Sequence, residues 1–421
     1  MQNKNLKKEL EALIPANTLK ALYLCSEAAG KLSLNIYLIG GAVRDIILGK
    51  NHFDTDITVH GNAVDFARFL EKTFPKNCKV KEIHDAFKTA KVFFCINEDN
   101  VEIDLASTRK ESYPYPASLP FVEEIGCNLY EDVIRRDFSI NSMSLSINRE
   151  NFGDLIDYLN GYEDLQNRKI KILNNKSFID DPTRIIRALK FRVRFDCKLD
   201  KKTKILQDEC LDSGRFDNLC GERIKSELKQ TFNLNSQQAL QIFMRENIYR
   251  LLEKDLCTNI PVIEEIINCY LVFINTDFAW LIYVGIMLTD LSAEKIKQKA
   301  ECLYLTNPET EILTEAKKLL EKEVYIDTPF SIYEFFEDFP IESIIIFLIK
   351  NPKQVENVEL YLKKLKDINI FTTGKDLIEM GLAPGESFGK ILREVLKAKI
   401  NGEFSTREEE SNFLKNIISN S

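Results

Sequence analysis

Leu38-Ile39-Gly40-Gly41-Ala42-Val43-Arg44-Asp45, followed nine residues later by Asp54-Thr55-Asp56, is the stretch that decides the fold of this 421-residue chain. The apolar run Ile36, Tyr37, Leu38, Ile39 delivers two glycines, and an amphipathic segment starts directly after them. Glycines at a strand-to-helix turn let backbone N–H groups approach a phosphate closely, at the positive end of a helix. Asp54 and Asp56 lie two apart in a β-prone segment, 53–59. As a strand, its period of two puts both carboxylates on one face. Two hard oxygen ligands beside a phosphate cradle suit Mg²⁺-assisted phosphoryl or nucleotidyl transfer.

Around this stretch the pattern is α/β. Short β-like runs fall at 36–39, 56–59, 79–83, 89–95, 101–105 and 145–147, with helices expected over 17–29, capped by Gly30, and over 63–72. His84-Asp85 reads as a turn between two strands. The segment 107–128, with Pro114, Pro116 and Pro120, shows neither period and reads as a long, mobile loop. From about residue 180 the apolar spacing becomes three and four, and Gly285 is the only glycine between Glu222 and Thr373. The expected architecture is therefore a small mixed sheet with helices, then all-helical sequence. We divide it as head 1–150, neck 151–235, body 236–345 and tail 346–421.

Bulk properties exclude several classes. A hydrophobic fraction of 44% with 29% charged residues is that of an ordinary globular protein. Ten cysteines without any C-x-x-C pair read as reduced thiols of a cytoplasmic protein, not as a disulfide framework or zinc knuckle. The N-terminus carries no secretory h-region and no run is long enough to span a membrane. No G-x-x-x-x-G-K-[ST] occurs, so a P-loop NTPase is excluded. A net charge of −8 argues against a uniformly basic nucleic-acid binder. Positive charge nevertheless clusters at Arg135-Arg136, along Arg184 to Arg194, and from Lys198 to Lys204.

Three further groups point to the same chemistry. In Val101-Glu102-Ile103-Asp104-Leu105 the alternation turns the apolar residues inward and puts Glu102 and Asp104 on one polar face, so either is a candidate third carboxylate. Arg44 can fork onto phosphate oxygens, with Asp45 as its partner. Asp180-Asp181-Pro182-Thr183-Arg184 starts a helix, with Asp at the N-cap and Pro in the first turn, and cationic residues recur along it at Arg184, Arg187, Lys190 and Arg194.

GGAVRD followed by DTD resembles the nucleotidyltransferase superfamily of class II tRNA nucleotidyltransferases (CCA-adding enzymes) and bacterial poly(A) polymerases. Arg135-Arg136-Asp137-Phe138-Ser139-Ile140-Asn141-Ser142-Met143 is similar to that family's second motif, 180–187 to its nucleotide-selecting motif, and Gly221-Glu222-Arg223-Ile224 to the helix closing the neck. A weaker similarity returns near Gly374 to Leu392, in the part that grips the tRNA elbow in the family. Two positions depart from the pattern: Asp180 stands where Glu is usual, and Lys190 where Arg is usual and can fork. No histidine follows His84, so the phosphohydrolase domain appended to some members cannot be built.

The resemblance implies a role for each group. Asp54, Asp56 and Asp104 are the catalytic carboxylates, with Mg²⁺ held by Asp54 and Asp56. Gly40, Gly41 and Arg44 hold the triphosphate. Arg135, Arg136 and Asp137 read the ribose 2′-hydroxyl, Asp181 and Arg184 the Watson–Crick edge of the base, and Arg187 and Lys190 also bind the nucleotide, Lys190 through triphosphate or neck contacts. It implies addition of C, C and A to tRNA 3′ ends from CTP and ATP without a nucleic-acid template. Alternatives are partial CC- or A-addition, poly(A) synthesis (disfavoured by the acidic end around Arg407 to Glu410), and an inactive RNA-binding module. The oligomeric state is not legible.

Overall fold

In the computed structural model, the Ile36–Ile39 run forms strand β1, Gly40 turns the chain, and helix α3 (Gly41–Ile47) follows at once. The structure describes residues 4–51, 54–216, 219–234, 236–254, 256 and 276–419, so the expected start of the second strand at residue 53 and the body segment 257–275 lie outside the described residues. The chain divides into two compact units, Met1–Asp255 and Leu256–Ser421.

The first unit begins with α1 (Lys7–Leu13) and α2 (Ala16–Lys31), then β1 and α3. Next come β2 (Asp56–Val59), α4 (Ala63–Thr73), β3 (Cys78–His84), β4 (Thr89–Ile96) and β5 (Asp99–Ser107). With β8 (Ser144–Ser146) and β9 (Leu155–Ile156) these strands build one sheet in the order β3-β4-β5-β2-β1-β8-β9. Only β2 and β5 run parallel, and their register sets Asp56 opposite Asp104. The alternation expected in β5 holds: Val101, Ile103 and Leu105 are buried, while Glu102 is exposed and Asp104 half-buried. On α4, Ala63, Val64, Phe66, Ala67 and Leu70 are buried, and the Asn62 side chain caps its N-terminus.

Two expectations need correction. Gly30 does not cap α2; it lies inside the helix, and Ser33 takes the left-handed turn after it at φ +53°. The 107–128 segment is not without period. Strands β6 (Arg109–Ser112) and β7 (Phe121–Ile125) pair as an antiparallel ribbon interrupted by one irregularity, leaving only 113–120 as its tip. The three prolines fall in that tip or at the strand edge, which hides the ribbon from a periodicity reading.

Beyond the ribbon, α5 (Leu129–Ile134) carries a capping box formed by Asn128 and Glu131. Helix α6 (Gly161–Gln166), β10 (Lys169–Ile170), α7 (Ser177–Asp180) and α8 (Thr183–Phe195) follow, and β11 (Lys198–Leu199) pairs with β10. Helices α9 (Lys201–Ser213), α10 (Gly221–Phe232) and α11 (Ser236–Arg245) complete the unit. Gly161 lets α6 press against the 135–143 motif: a Cβ there would lie 2.1 Å from the Ser139 carbonyl oxygen. Ser139 also donates to Asp164 of α6 at 2.7 Å.

The second unit is helical throughout its described residues. Helices Ala279–Leu288 and Ile341–Lys350 bury nearly every residue, and aromatic rings of Phe335, Phe336, Phe347 and Tyr361 pack beside them. Gly285 permits their close approach, since a Cβ would lie 2.4 Å from Ile346 Cδ1. A separate cluster of Leu377, Ile391, Val395 and Leu414 holds the C-terminal helices together. Among the described residues no helix is long and apolar enough to cross a membrane.

Two of the glycines in helices of the first unit, Gly161 and Gly30, separate packing from propensity. Gly161→Ala should lower stability by about 1–3 kcal/mol, because the obstructing atom is backbone. Gly30→Ala, with nothing within 4 Å of the new methyl, should raise it by about 0.5–1 kcal/mol. Urea unfolding of both variants checks the pair of opposite signs.

Candidate active site

Strand, turn and helix place the first group as the sequence implied. Gly40 has φ +73° and ψ −126°, a conformation that a side chain strongly disfavours. Gly41 matters differently: a Cβ there would sit 3.4 Å from the Arg44 guanidinium, which folds back over it. Arg44 is buried and fixed on several sides. It donates to Asp45 at 2.9 Å and to Asn141 at 2.7 Å, and stands 4.5 Å from the Phe195 ring centroid.

These residues line a cavity of about 510 Å³. Asp56, Arg136, Asp137 and Asn141 come to it from the head, Asp181, Thr183, Arg184, Arg187 and Phe191 from the start of α8, and Arg223, Ser226 and Glu227 from α10. A second cavity of about 350 Å³ meets the first at Asp56 and Arg136 and adds Asp104, Lys91 and His84. Of the expected residues, Asp54, Arg135 and Lys190 line neither cavity.

The carboxylates on β2 and β5 repel one another. Asp56 is reached by solvent from the cleft, yet crowding by protein, with the charges of Asp104 and Asp54, outweighs Arg136 and Lys91 and pushes its carboxyl up to about 6. Partial burial likewise raises Asp104, although Lys91 stands 3.6 Å away and opposes it. Register sets the two candidates on β5 in different surroundings. Glu102 is held by Lys91 and Lys81 at the strand surface, whereas Asp104 faces Asp56 and lines the second cavity. Among the described residues no three acidic, His or Cys side chains are already drawn together as a metal cage.

The motif at 135–137 divides its labour. Asp132, fully buried, accepts from Arg135 at 2.6 Å and Arg136 at 2.8 Å. Burial would raise its carboxyl, but the two guanidinium groups hold it below the usual range. Arg135 also pairs with Glu111 of the ribbon at 3.0 Å, so its charge is spent inside the head. Arg136 alone of the two reaches the cavities. Asp137 accepts from Asn141 at 3.1 Å and from two nitrogens of Arg187 at 2.7 and 3.0 Å.

Helix α8 starts one residue later than expected, with Pro182 as the flanking residue. Asp181, just outside, still accepts from the Thr183 N–H at 3.2 Å and is gripped by Arg223 from α10. Arg184 donates to the carbonyls of Arg135 at 2.9 Å and Arg136 at 3.2 Å, to Ser177 at 2.7 Å, and to the Tyr113 hydroxyl at 3.3 Å. The proposed base-reading arginine is thus aimed by backbone atoms of the second motif and touched by the ribbon. Lys190 is turned from the cleft to Glu227 at 2.7 Å and Gln230 at 2.8 Å, an anchoring contact that needs no fork. Arg187 completes the tie by donating to Glu227 at 2.8 Å.

Asn141, Asp132, Arg223 and Glu227 were not among the sequence candidates. For α10 a signal existed: Arg223, Ser226, Glu227 and Gln230 recur at helical spacing as a polar stripe. For Asp132 one did as well: Arg135 and Arg136 follow it at i+3 and i+4, the spacing of helical ion pairs, while its bond from the Arg109 N–H of the ribbon was not legible.

Residues 36–171 match the poly(A) polymerase head domain. The chain is 30% identical over 420 residues to an A-adding tRNA nucleotidyltransferase of Geobacter sulfurreducens, covering 94% of this chain and 47% of the relative. It is 28% identical over 386 residues to another of that name from Halalkalibacterium halodurans, covering 89% and 86%. The Thermotoga maritima CCA-adding enzyme complexed with tRNA CCA is similar over 100% of both chains, at TM-score 0.80 and 25% identity. The chain spans about half the length of the first curated relatives it matches, 47% and 44%. The resemblance read from the motifs is borne out: the chain carries the poly(A) polymerase head domain, and its mixed sheet followed by helices is the fold of the CCA-adding enzymes.

Burial alone would raise the Asp137 carboxyl, but Arg187, with Arg184 and Asn141, holds it at about 2. Its unfolded value is about 3.9, so its stabilisation is complete above that pH and is lost as pH falls toward about 2. Between pH 5 and 3 wild type should lose roughly 1 kcal/mol that the Asp137→Asn variant does not lose. Urea titrations of both proteins at the two pH values measure the difference.

Proposed function

We propose that this chain is a tRNA nucleotidyltransferase that adds C, C and A to tRNA 3′ ends from CTP and ATP. One observation carries the proposal: a single cleft joins the Gly40-Gly41 turn and Arg44, suited to phosphates, to the Asp181–Arg184 pair, suited to a base edge. The fourfold division into catalytic head 1–150, neck 151–235, body 236–345 and tail 346–421 is proposed with it.

In this reading Asp181 accepts from the exocyclic amine of cytosine or adenine, and Arg184 donates to the adjacent ring nitrogen. Uracil and guanine present the opposite polarity at those atoms. Arg136 and Asp137 bound the ribose side of the cleft. The primer 3′-hydroxyl attacks the α-phosphate and gives up its proton to solvent, the α–β phosphoanhydride breaks, and pyrophosphate leaves on the Arg44 side. The charge of Arg44 is fixed in place by Asp45 and Asn141 before the leaving group forms.

The carboxylates fit a hard divalent cation. Asp54 and Asp56 would supply oxygen donors, and the Asp56 carboxyl, raised first by burial and then by the charges of Asp104 and Asp54, would be held ionised by a cation. Mg²⁺ bound there supplies positive charge at the α-phosphate and the attacking oxygen.

A narrower reading, addition of the terminal A alone, is favoured by one observation: the two curated relatives described above are both named A-adding. Three tRNA transcripts, ending before CCA, after C and after CC, separate the two readings when incubated with each nucleotide singly and together. Full CCA addition extends all three. A-only addition extends just the transcript ending in CC, and extension of none refutes both readings.

Asp56→Ala should abolish addition while tRNA affinity stays within about twofold, since the carboxylate is proposed to hold metal and not RNA. Turnover near wild type in Mg²⁺ would remove the metal assignment. Arg184→Ala should raise UTP use relative to CTP by roughly ten- to a hundredfold, the value of a base-edge contact worth about 1–3 kcal/mol. An unchanged ratio in single-turnover assays would place base reading elsewhere.

A further inference from the structure

The cationic cluster around Lys198 is not used by the nucleotide cleft. Beside the C-terminal half of α8 lies another cavity, of about 490 Å³, with Leu48, Leu165, Val193 and Phe195 as apolar lining and Lys50, Arg168 and Arg194 as cations. Its one carboxylate, Asp196, is paired with Arg168 at 2.6 Å. Arg194 leans on Asp45 at 3.4 Å, a carboxylate already engaged by Arg44. Among the described residues Lys50 has no carboxylate partner, and its ammonium sits 4.6 Å from the Phe195 ring centroid.

The cationic surface continues along the small parallel ribbon. The Lys198 N–H donates to the Arg168 carbonyl at 2.8 Å, and Lys169 stands directly opposite Lys198 in register. Register partners share a face, so the two lysine side chains leave the ribbon on the same side. Among the described residues neither has an ion-pair partner. Like charges directly opposite one another on neighbouring strands are destabilising, a cost that a bound anion would relieve. In a chain of net charge −8 such a concentration is not a by-product of composition. The same Phe195 ring that backs Lys50 also backs Arg44 of the nucleotide cleft, at 4.5 Å, so the two cavities share a wall.

We propose that this cavity and its Lys169–Lys198 rim bind the phosphodiester backbone of RNA, gripping the tRNA at a site separate from the reacting end. The cations take phosphates, and the Phe195 and aliphatic lining takes ribose faces. The proposal rests on the tRNA reading above.

The test is the combined variant Lys50→Gln, Lys169→Gln, Lys198→Gln beside its Arg counterpart at the same three positions. Arg168 is left intact because its pair with Asp196 closes the junction of β10 and α8. Affinity for a tRNA transcript ending in CC is measured against salt, together with ATP affinity and the thermal midpoint. Each phosphate that is no longer neutralised should lower the salt slope by about 0.9, so the Gln variant should lose roughly two to three units of slope and about ten- to a hundredfold in affinity at low salt. ATP affinity and turnover at saturating tRNA should hold, and the Arg variant should keep the wild-type slope. An unchanged slope in the Gln variant overturns the site, as does loss of slope in the Arg variant too. Loss of inorganic phosphate or ATP binding with tRNA binding intact overturns it in favour of a small-anion site. Wild-type protein that binds tRNA but extends none refutes the proposed function, while the slope comparison still decides this site. Wild-type protein that binds no tRNA refutes both.

Discussion

The guanidinium of Arg187 is the tie on which the cleft depends. It sits one turn into α8, and its three nitrogens reach Asp137 of the second motif and Glu227 of α10. Three segments far apart in sequence therefore meet at one side chain, with about a third of that side chain open to the cleft, 34%. Asp137 is nearly enclosed, so removing the guanidinium would leave its carboxylate buried with only neutral donors, Asn141 and the Phe138 N–H, while Glu227 would keep Lys190. Breaking such a pair from one side costs about 3–5 kcal/mol, more than the pair contributes intact. The energetic value of the network lies in geometry: it fixes where α8 stands relative to the glycine turn.

That placement explains how rigid and adaptable parts coexist. Asp132 locks Arg135 and Arg136 from below, and the carbonyls of those same arginines hold Arg184. Arg184 is buried at 7% exposure, so its donors cannot swing freely to meet any base. In the function proposed above, choosing a base without a template requires such restraint, because a mobile guanidinium would satisfy uracil as readily as cytosine. The contact with Tyr113 is the one that comes from the ribbon tip, the segment held least by regular pairing.

Local pattern made much of this legible. The glycine turn and the alternation in β5 are single-turn and period-two features that appear where the residues placed them, whereas β2 begins only at Asp56 and leaves Asp54 before the strand, so the expected shared strand face of the two carboxylates is not formed. The pairing of Asp56 with Asp104 was less accessible, since strand order is a tertiary choice; the parallel β2–β5 register is what sets Asp104, and not Glu102, opposite Asp56. The ribbon was missed because prolines and a ladder irregularity erase alternation. Gly30 misled because glycine after a helix is common, yet here Ser33 adopts the left-handed turn. Lys190 and Arg135 were assigned to nucleotide by type and position, but burial gives both of them internal acidic partners.

A double-mutant cycle on Asp137→Asn and Arg187→Gln, read as ATP dissociation constants, tests this tie most directly. If the pair sets the cleft, each single variant weakens ATP binding by about tenfold or more, and the double variant is no worse than the poorer single, a coupling of about 1.4 kcal/mol or greater. Effects that add within about 0.5 kcal/mol would show the two residues acting independently, and the cleft would owe its shape to something else.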